Sequence, residues 1–174
     1  MKNSSDRVHY KMQVLPAVYV LETNMPDKII NDVNDYLDEY RENKNKKSLA
    51  NILVGQIHKG EQLLLDHKDP RMLGYNAFIT ALSTEYIKQF AAAGNPLKCA
   101  KKVEIDETWS VHSYDGDYNP IHDHGTKTIM GISTTAWTKV PPQIGQKAVA
   151  NTSNYSLYNE SGHSDGCISF QYGR

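Results

Sequence analysis

Helical periodicity runs through the first hundred residues of this chain and then stops. Ile29, Ile30, Val33, Tyr36, Leu37 and Tyr40 recur at the spacing that gives a helix one apolar face. Pro26 and Asp27 open that helix, because proline suits the first helical position and an acid favours the positive helix end. Leu73, Ala77, Phe78, Leu82, Tyr86, Ile87 and Phe90 form a second such face, entered through Asp69-Pro70 and closed by Gly94-Asn95-Pro96. From about Lys101 only strand-like runs remain: Val103–Tyr114, Thr128–Val140, a weaker one near Ala148, and Cys167–Tyr172. Helices first and strands afterwards predict an α+β domain, its helices packed on one face of an antiparallel sheet or sandwich.

The remaining segments follow from local rules. Residues 1–10 are polar and are expected to fray. Val14–Glu22 reads as one strand, placed at an edge by Pro16. Arg41–Ser48 is a polar exit from the first helix, and Ile52–Ile57 a short strand or extended segment followed by a charged loop. Neither face of Thr128–Val140 is strongly apolar. That fits a sandwich strand lining a polar cavity and equally an ordinary edge strand.

At 174 residues the chain is long enough for one domain with a proper core, helices and a first strand in 1–100 and sheet in 101–174. Its net charge of −1 and lack of a Lys/Arg stripe point to neither nucleic acid nor an anionic membrane as partner. Lys44, Lys46 and Lys47 form a basic knot that a solvated loop explains. No apolar run reaches the length of a membrane span, and no signal-peptide core is present at the N-terminus. Cys99 and Cys167 read as reduced thiols of a cytoplasmic protein.

Chemistry concentrates in Trp109–Gly125, W-S-V-H-S-Y-D-G-D-Y-N-P-I-H-D-H-G. Three histidines (His112, His122, His124) and three aspartates (Asp115, Asp117, Asp123) surround a Gly/Pro-containing bend. If Ile121–His124 is extended, His122 and His124 share a face and Asp123 takes the other. Two imidazoles so placed make half of a metal site, suited to zinc, copper, iron or nickel. His58 and His67 lie in charged segments and read as solvated; His112 reads as core or cavity wall. Trp109 and Trp137 read as packing residues, with lining of the pocket the alternative for Trp137.

Y-D-G-D-Y-N-P-I-H-D-H-G followed by T-I-M-G-I-S-T-T-A-W-T-K-V-P resembles the iron(II)/2-oxoglutarate oxygenases, in particular the phage and marine-bacterial group related to prolyl hydroxylases. The helices before it and the later D-G-C-I-S-F-Q-Y-G are similar to that group as well, so the resemblance covers the chain from about Pro26 onward. It implies a double-stranded β-helix, or jelly-roll, of which residues 101–174 would be the first part. It implies Fe(II) as metal and 2-oxoglutarate as small-molecule cosubstrate, oxidised to succinate and carbon dioxide while a C–H bond is hydroxylated. Peptidyl proline is the substrate the resemblance suggests. Tyr114 stands where related hydroxylases place a tyrosine that contacts the cosubstrate.

The chain departs from the family pattern twice. The usual triad is His-x-Asp/Glu plus a distant His, but two positions after His122 stands His124, so the pair is His-x-His unless Asp123 supplies the carboxylate. The family also needs sheet after D-G-C-I-S-F, with the distant His and a basic anchor for the far carboxylate of 2-oxoglutarate. His163 and Arg174 have the crude spacing for those roles. His163 nevertheless sits in the loop-forming N-E-S-G-H-S-D-G, and Arg174 is the last residue. The expectation is therefore a jelly-roll incomplete at its C-terminal end, inactive or weak in metal binding, whose open edges are covered in a homo-oligomer. Two other readings stay open. A cupin-like metal protein fits Gly116 and His-x-His but lacks the signature's glutamate, having Thr128 and Ile129 there. A metal-free jelly-roll for binding or structure would keep both histidines merely hydrogen-bonded.

Overall fold

The computed structural model describes residues 10–15, 18–52, 55–93, 102–114, 116–120, 122, 131–142 and 168. Strands β1 (Tyr10–Leu15) and β2 (Val18–Thr23) form an antiparallel hairpin with Leu15 opposite Val18. The single strand expected over Val14–Glu22 is thus two strands, the first beginning in the stretch expected to fray. Pro16, which has no N–H to donate to a ladder, lies outside the described residues between the two strands.

Helix α1 (Asp27–Glu42) begins as the sequence predicts. The Pro26 carbonyl accepts the N–H groups of Ile29 and Ile30, at 2.9 and 3.1 Å, and Asp27 lies in the first turn. Beyond Glu42 the Asn43 side chain accepts the N–H of Asn45 at 2.8 Å, and the Lys46 ammonium donates to the Arg41 carbonyl at 2.7 Å. Carbonyls of the last helical turn lack intrahelical partners, so this contact closes the helix.

Helix α2 (Met72–Ala92) exists where expected but faces differently. Met72 is fully buried and Ser83 buried, whereas Leu73 is 59% exposed and Ala77 exposed. At its N-terminal end the buried side is therefore that of Met72 rather than of Leu73 and Ala77, while Phe78, Leu82, Tyr86, Ile87 and Phe90 of the expected face are half-buried. The two helices meet around Val33, Tyr36, Leu37, Leu65 and Met72, with Ile29, Tyr40 and Tyr75 packed against them. Arg71 locks this contact. Its guanidinium lies 5.1 Å from the centre of the Tyr36 ring and pairs with Glu39 at 2.7 Å and Asp69 at 2.9 Å. Burial pushes the Tyr36 phenol up, so it stays neutral and accepts the Asp66 N–H at 2.9 Å. The hairpin packs on the other end of α2, where Tyr19 meets Phe90 edge-on at 4.7 Å and the Tyr86 hydroxyl donates to the Tyr19 carbonyl.

A second sheet is antiparallel in the order β3 (Lys47–Ser48), β4 (Glu61–Leu64), β5 (Trp109–His112). Two sequence expectations change here: β3 lies in the expected polar exit and β4 in the expected charged loop. Among the described residues of Ile52–Ile57, Gln56 makes an isolated bridge to Tyr118. β4 forms because its short apolar run, Leu63–Leu65, can be buried on the helices, leaving Leu63 1% and Leu65 6% exposed. Within Val103–Tyr114 the strand is confined to β5, extended by one further bond from Leu65 N–H to the Thr108 carbonyl.

The described part of Thr128–Val140, residues 131–140, is not a strand. Its polar groups go to the helices instead: Asn34 donates to the Thr138 carbonyl at 3.0 Å, and Lys139 pairs with Asp38 at 2.6 Å. Trp137, expected to pack, is 52% exposed. The runs near Ala148 and at Cys167–Tyr172 lie outside the described residues apart from Ile168. Two helices with small antiparallel sheets make this an α+β chain, with α1 on the sheet face that carries Glu61, Leu65 and His112. Among the described residues no helix is long and apolar enough to cross a membrane.

The burial of Met72 in place of Leu73 has a direct test. Met72→Ala should cost about 2–5 kcal/mol, as for other buried large-to-small changes, while Leu73→Ala should cost no more than about 0.5 kcal/mol. Urea denaturation of both variants decides it; equal losses would restore the face read from the sequence.

Candidate metal centre

β5 delivers the chain into the bend that carries the histidine motif. After His112 the chain closes a turn in which the Asp117 N–H donates to the Tyr114 carbonyl at 2.9 Å. Gly116 sits at φ +88°, a left-handed conformation that glycine adopts without steric cost.

Asp117 then fastens the bend to a second segment. Its Oδ1 accepts the N–H groups of His58 at 2.6 Å and Lys59 at 3.2 Å. Its Oδ2 accepts those of Gly60 at 2.9 Å and Tyr114 at 3.0 Å. A carboxylate offers about four lone-pair sites, so these donors fill it and leave Asp117 none for a metal. Burial alone would raise the Asp117 carboxyl, but the four donors outweigh it and hold it down at about 2. Gly60 belongs to the same arrangement: a Cβ there would overlap the His112 carbonyl oxygen and crowd Asp117.

The next residues are fixed in turn. Gln56 and Tyr118 exchange two backbone hydrogen bonds, of 2.7 and 3.2 Å. The Asn119 side chain lies against Gly55, where a Cβ would overlap it, and accepts from the buried Gln62 amide at 3.5 Å. Pro120, its φ set by the ring, then accepts a 2.8 Å hydrogen bond from Nδ1 of His122.

That last contact fixes the chemistry of His122. A carbonyl oxygen only accepts, so Nδ1 carries the proton and, in the neutral ring, Nε2 carries the lone pair. A ring nitrogen hydrogen-bonded to a backbone carbonyl is the usual backing of a metal-ligating histidine. His122 therefore fits a metal donor by its tautomer as well as by its exposure. Among the described residues no group of three or more His, Cys, Asp or Glu side chains is placed to hold a metal. Asp123, His124, His163 and Arg174, and with them the shared face predicted for His122 and His124, lie outside the described residues.

Tyr114 is half exposed, and its hydroxyl accepts from Arg41 of α1 at 3.1 Å. Arg41 also reaches Glu61 at 3.4 Å. An ion pair with Lys46 and these Arg41 contacts hold the Glu61 carboxyl below its usual range. His112, opposite Glu61 across the β4–β5 pair, bonds Ser110 Oγ at 2.9 Å through Nε2. Burial, then the positive charge of Arg41, push the His112 imidazole down, so it is a neutral wall residue at pH 7. His58 is exposed, as expected. His67, expected to be solvated, is half-buried; its Nδ1 has no hydrogen-bond partner among the described residues, and its carbonyl accepts from the Asn76 amide at 3.0 Å.

Sequence reasoning missed Asp117 and Gly60. The D-G-D step signals a turn, and aspartate commonly bonds backbone N–H groups there. The loop it captures, however, lies 57–59 residues away and carries no matching signal. No protein-family model, curated protein or solved structure matches this chain.

The Asp117 contacts predict an acid-labile component of stability. A carboxyl held at about 2 when folded and 3.8 when unfolded stabilises the fold fully above about pH 4, and this contribution is lost as pH falls toward 2. Asp117→Asn removes the titration. The stability gap between wild type and variant, from urea titrations, should shrink steadily from pH 5 to pH 2; a constant gap would contradict the arrangement.

Proposed function

We propose that this chain is an iron(II)/2-oxoglutarate oxygenase that hydroxylates unactivated C–H bonds, built on a double-stranded β-helix. The observation that carries the reading is the Nδ1–H of His122 held by the Pro120 carbonyl, at the end of a bend fixed to the sheet. The layout supports the finer fold. α1 covers the face bearing Glu61, Leu65 and His112, and Tyr114 reaches Arg41 on that side, while Asn119 meets Gln62, which alternation along β4 puts on the other face. Helices outside a sheet and metal inside it is the arrangement the family resemblance implies.

In this reading His122 offers Nε2 to the metal, and His124 supplies the second imidazole. Asp123 or His163 completes the donor set. Iron, when bound, supplies the dioxygen chemistry that couples oxidation of 2-oxoglutarate to hydroxylation of the substrate. Tyr114 meets the cosubstrate; its hydroxyl is oriented by Arg41 and its ring is half exposed. Arg174 is the candidate for the far carboxylate. The neutral His112 adds no charge to compete with the metal. The substrate is a peptide or protein, with prolyl residues first to be tried. The setting is cytoplasmic. A twofold homodimer completes the reading, supported by exposed Ile52 and Leu73, which an assembly would cover.

Anaerobic titration with iron or cobalt tests the site. His122→Ala and His124→Ala should each abolish or severely weaken binding, and unchanged binding in both would refute the reading. Asp123→Ala should matter less if the imidazoles are the pair; a larger loss there assigns the carboxylate to Asp123. Succinate formation from 2-oxoglutarate with iron and ascorbate tests turnover, and its loss in His163→Ala or in Arg174→Ala would assign the third ligand to His163 or the carboxylate anchor to Arg174.

A further inference from the structure

We propose that Asp117 is a positioning residue for the metal centre: by capturing the 58–60 loop it fixes the chain that presents His122, and so sets that ring's tautomer and aim. The inference rests on the oxygenase reading, but the geometry behind it is independent of any metal. Four backbone donors from two segments converge on one carboxylate.

The path from Asp117 to the ring is short, and the described residues along it are held. Asp117 is fastened to the loop that leads into β4, the central strand of its sheet. Tyr118 is bonded through both backbone groups to Gln56, on that same loop. Asn119 is pressed against Gly55 and Gln62, and Pro120 holds the His122 ring directly. Without the carboxylate, four N–H groups lose their shared acceptor and the loop separates from the bend. Tyr118 and Asn119 then lose the surface against which they are placed, and the Pro120 carbonyl loses its fixed relation to the sheet. The His122 ring would revert to the preference of imidazole in water, which carries its proton on Nε2, the nitrogen a metal needs unprotonated.

A purely local structural role for Asp117 makes a different forecast. It would lower stability without moving the protonation pattern of a ring five residues away. Asp117→Asn separates the two, because the amide keeps one acceptor oxygen but turns an NH2 toward two N–H donors. Tyr36→Phe serves as control: it removes the acceptor of the Asp66 N–H in the helical core, far from the bend in the contact network.

The experiment uses the full chain labelled with 15N at histidine, without metal, and reads the His122 tautomer by long-range 1H–15N correlation. Cobalt affinities of the same samples are measured separately. Wild type and Tyr36→Phe should show Nδ1–H at His122. Asp117→Asn should show mixed or Nε2–H tautomers and bind cobalt at least about tenfold more weakly, the lower end of what losing an outer-shell partner costs. A folded Asp117→Asn with the wild-type tautomer would overturn the proposal, as would Tyr36→Phe shifting the tautomer equally. If Asp117→Asn does not fold, Asp117→Glu, which keeps the charge but displaces it by one methylene, is read in the same way. Wild type that fails to bind cobalt would refute the oxygenase reading, while the tautomer comparison would still decide the role of Asp117.

Discussion

Four backbone N–H groups converging on the Asp117 carboxylate are the constraint on which the functional end of this chain depends. Each hydrogen bond to a charged acceptor is worth roughly 1.5–3 kcal/mol when shielded and less where water competes, as it does at this half-buried group. Their importance is geometric. The loop before β4 and the bend after β5 are far apart in sequence, and among the described residues no ladder of regular structure joins them beyond the Gln56–Tyr118 bridge. The carboxylate gives both a common origin. Gly60 allows the approach, because any side chain there would strike the His112 carbonyl.

The opposite end of the molecule is organised by apolar contact. Val33, Tyr36, Leu37, Leu65 and Met72 exclude water between the helices, and Arg71 closes that core by stacking on Tyr36 while pairing with Glu39 and Asp69. The two regions connect through β4. Its Leu63 and the adjoining Leu65 are buried, Glu61 is tied to Arg41 of α1, and Gln62 reaches Asn119 of the bend. β4 thus packs against the helical core on one side and meets the bend through an amide contact on the other.

α1 was legible in the sequence because Pro26-Asp27 marks its start and its apolar residues keep one spacing. α2 was legible as a helix, but the buried side of its N-terminal end was not. Met72, Leu73, Phe78, Ile79 and Leu82 surround much of its circumference, so spacing alone does not choose the buried side. β4 was hidden because four residues, half of them polar, carry little periodic signal. The run Thr128–Val140 misled in its described part because β-branched composition reports suitability for a half-buried pleated surface rather than pairing. Asparagine and aspartate side chains of α1 satisfy that segment instead. Within the candidate site, the motif singles out His122 as a candidate. The proton on its Nδ1 was not legible, because that depends on a carbonyl placed by Asp117, and the partners of Asp117 are set only by the tertiary fold.

Metal content of the untagged protein, purified from iron-supplemented cells under anaerobic conditions, tests the central claim most directly. The account predicts about one iron per chain in the wild type and background levels in His122→Ala, read by plasma mass spectrometry alongside protein concentration. A wild type that is folded yet metal-free, and that stays so after anaerobic reconstitution with iron, would contradict it.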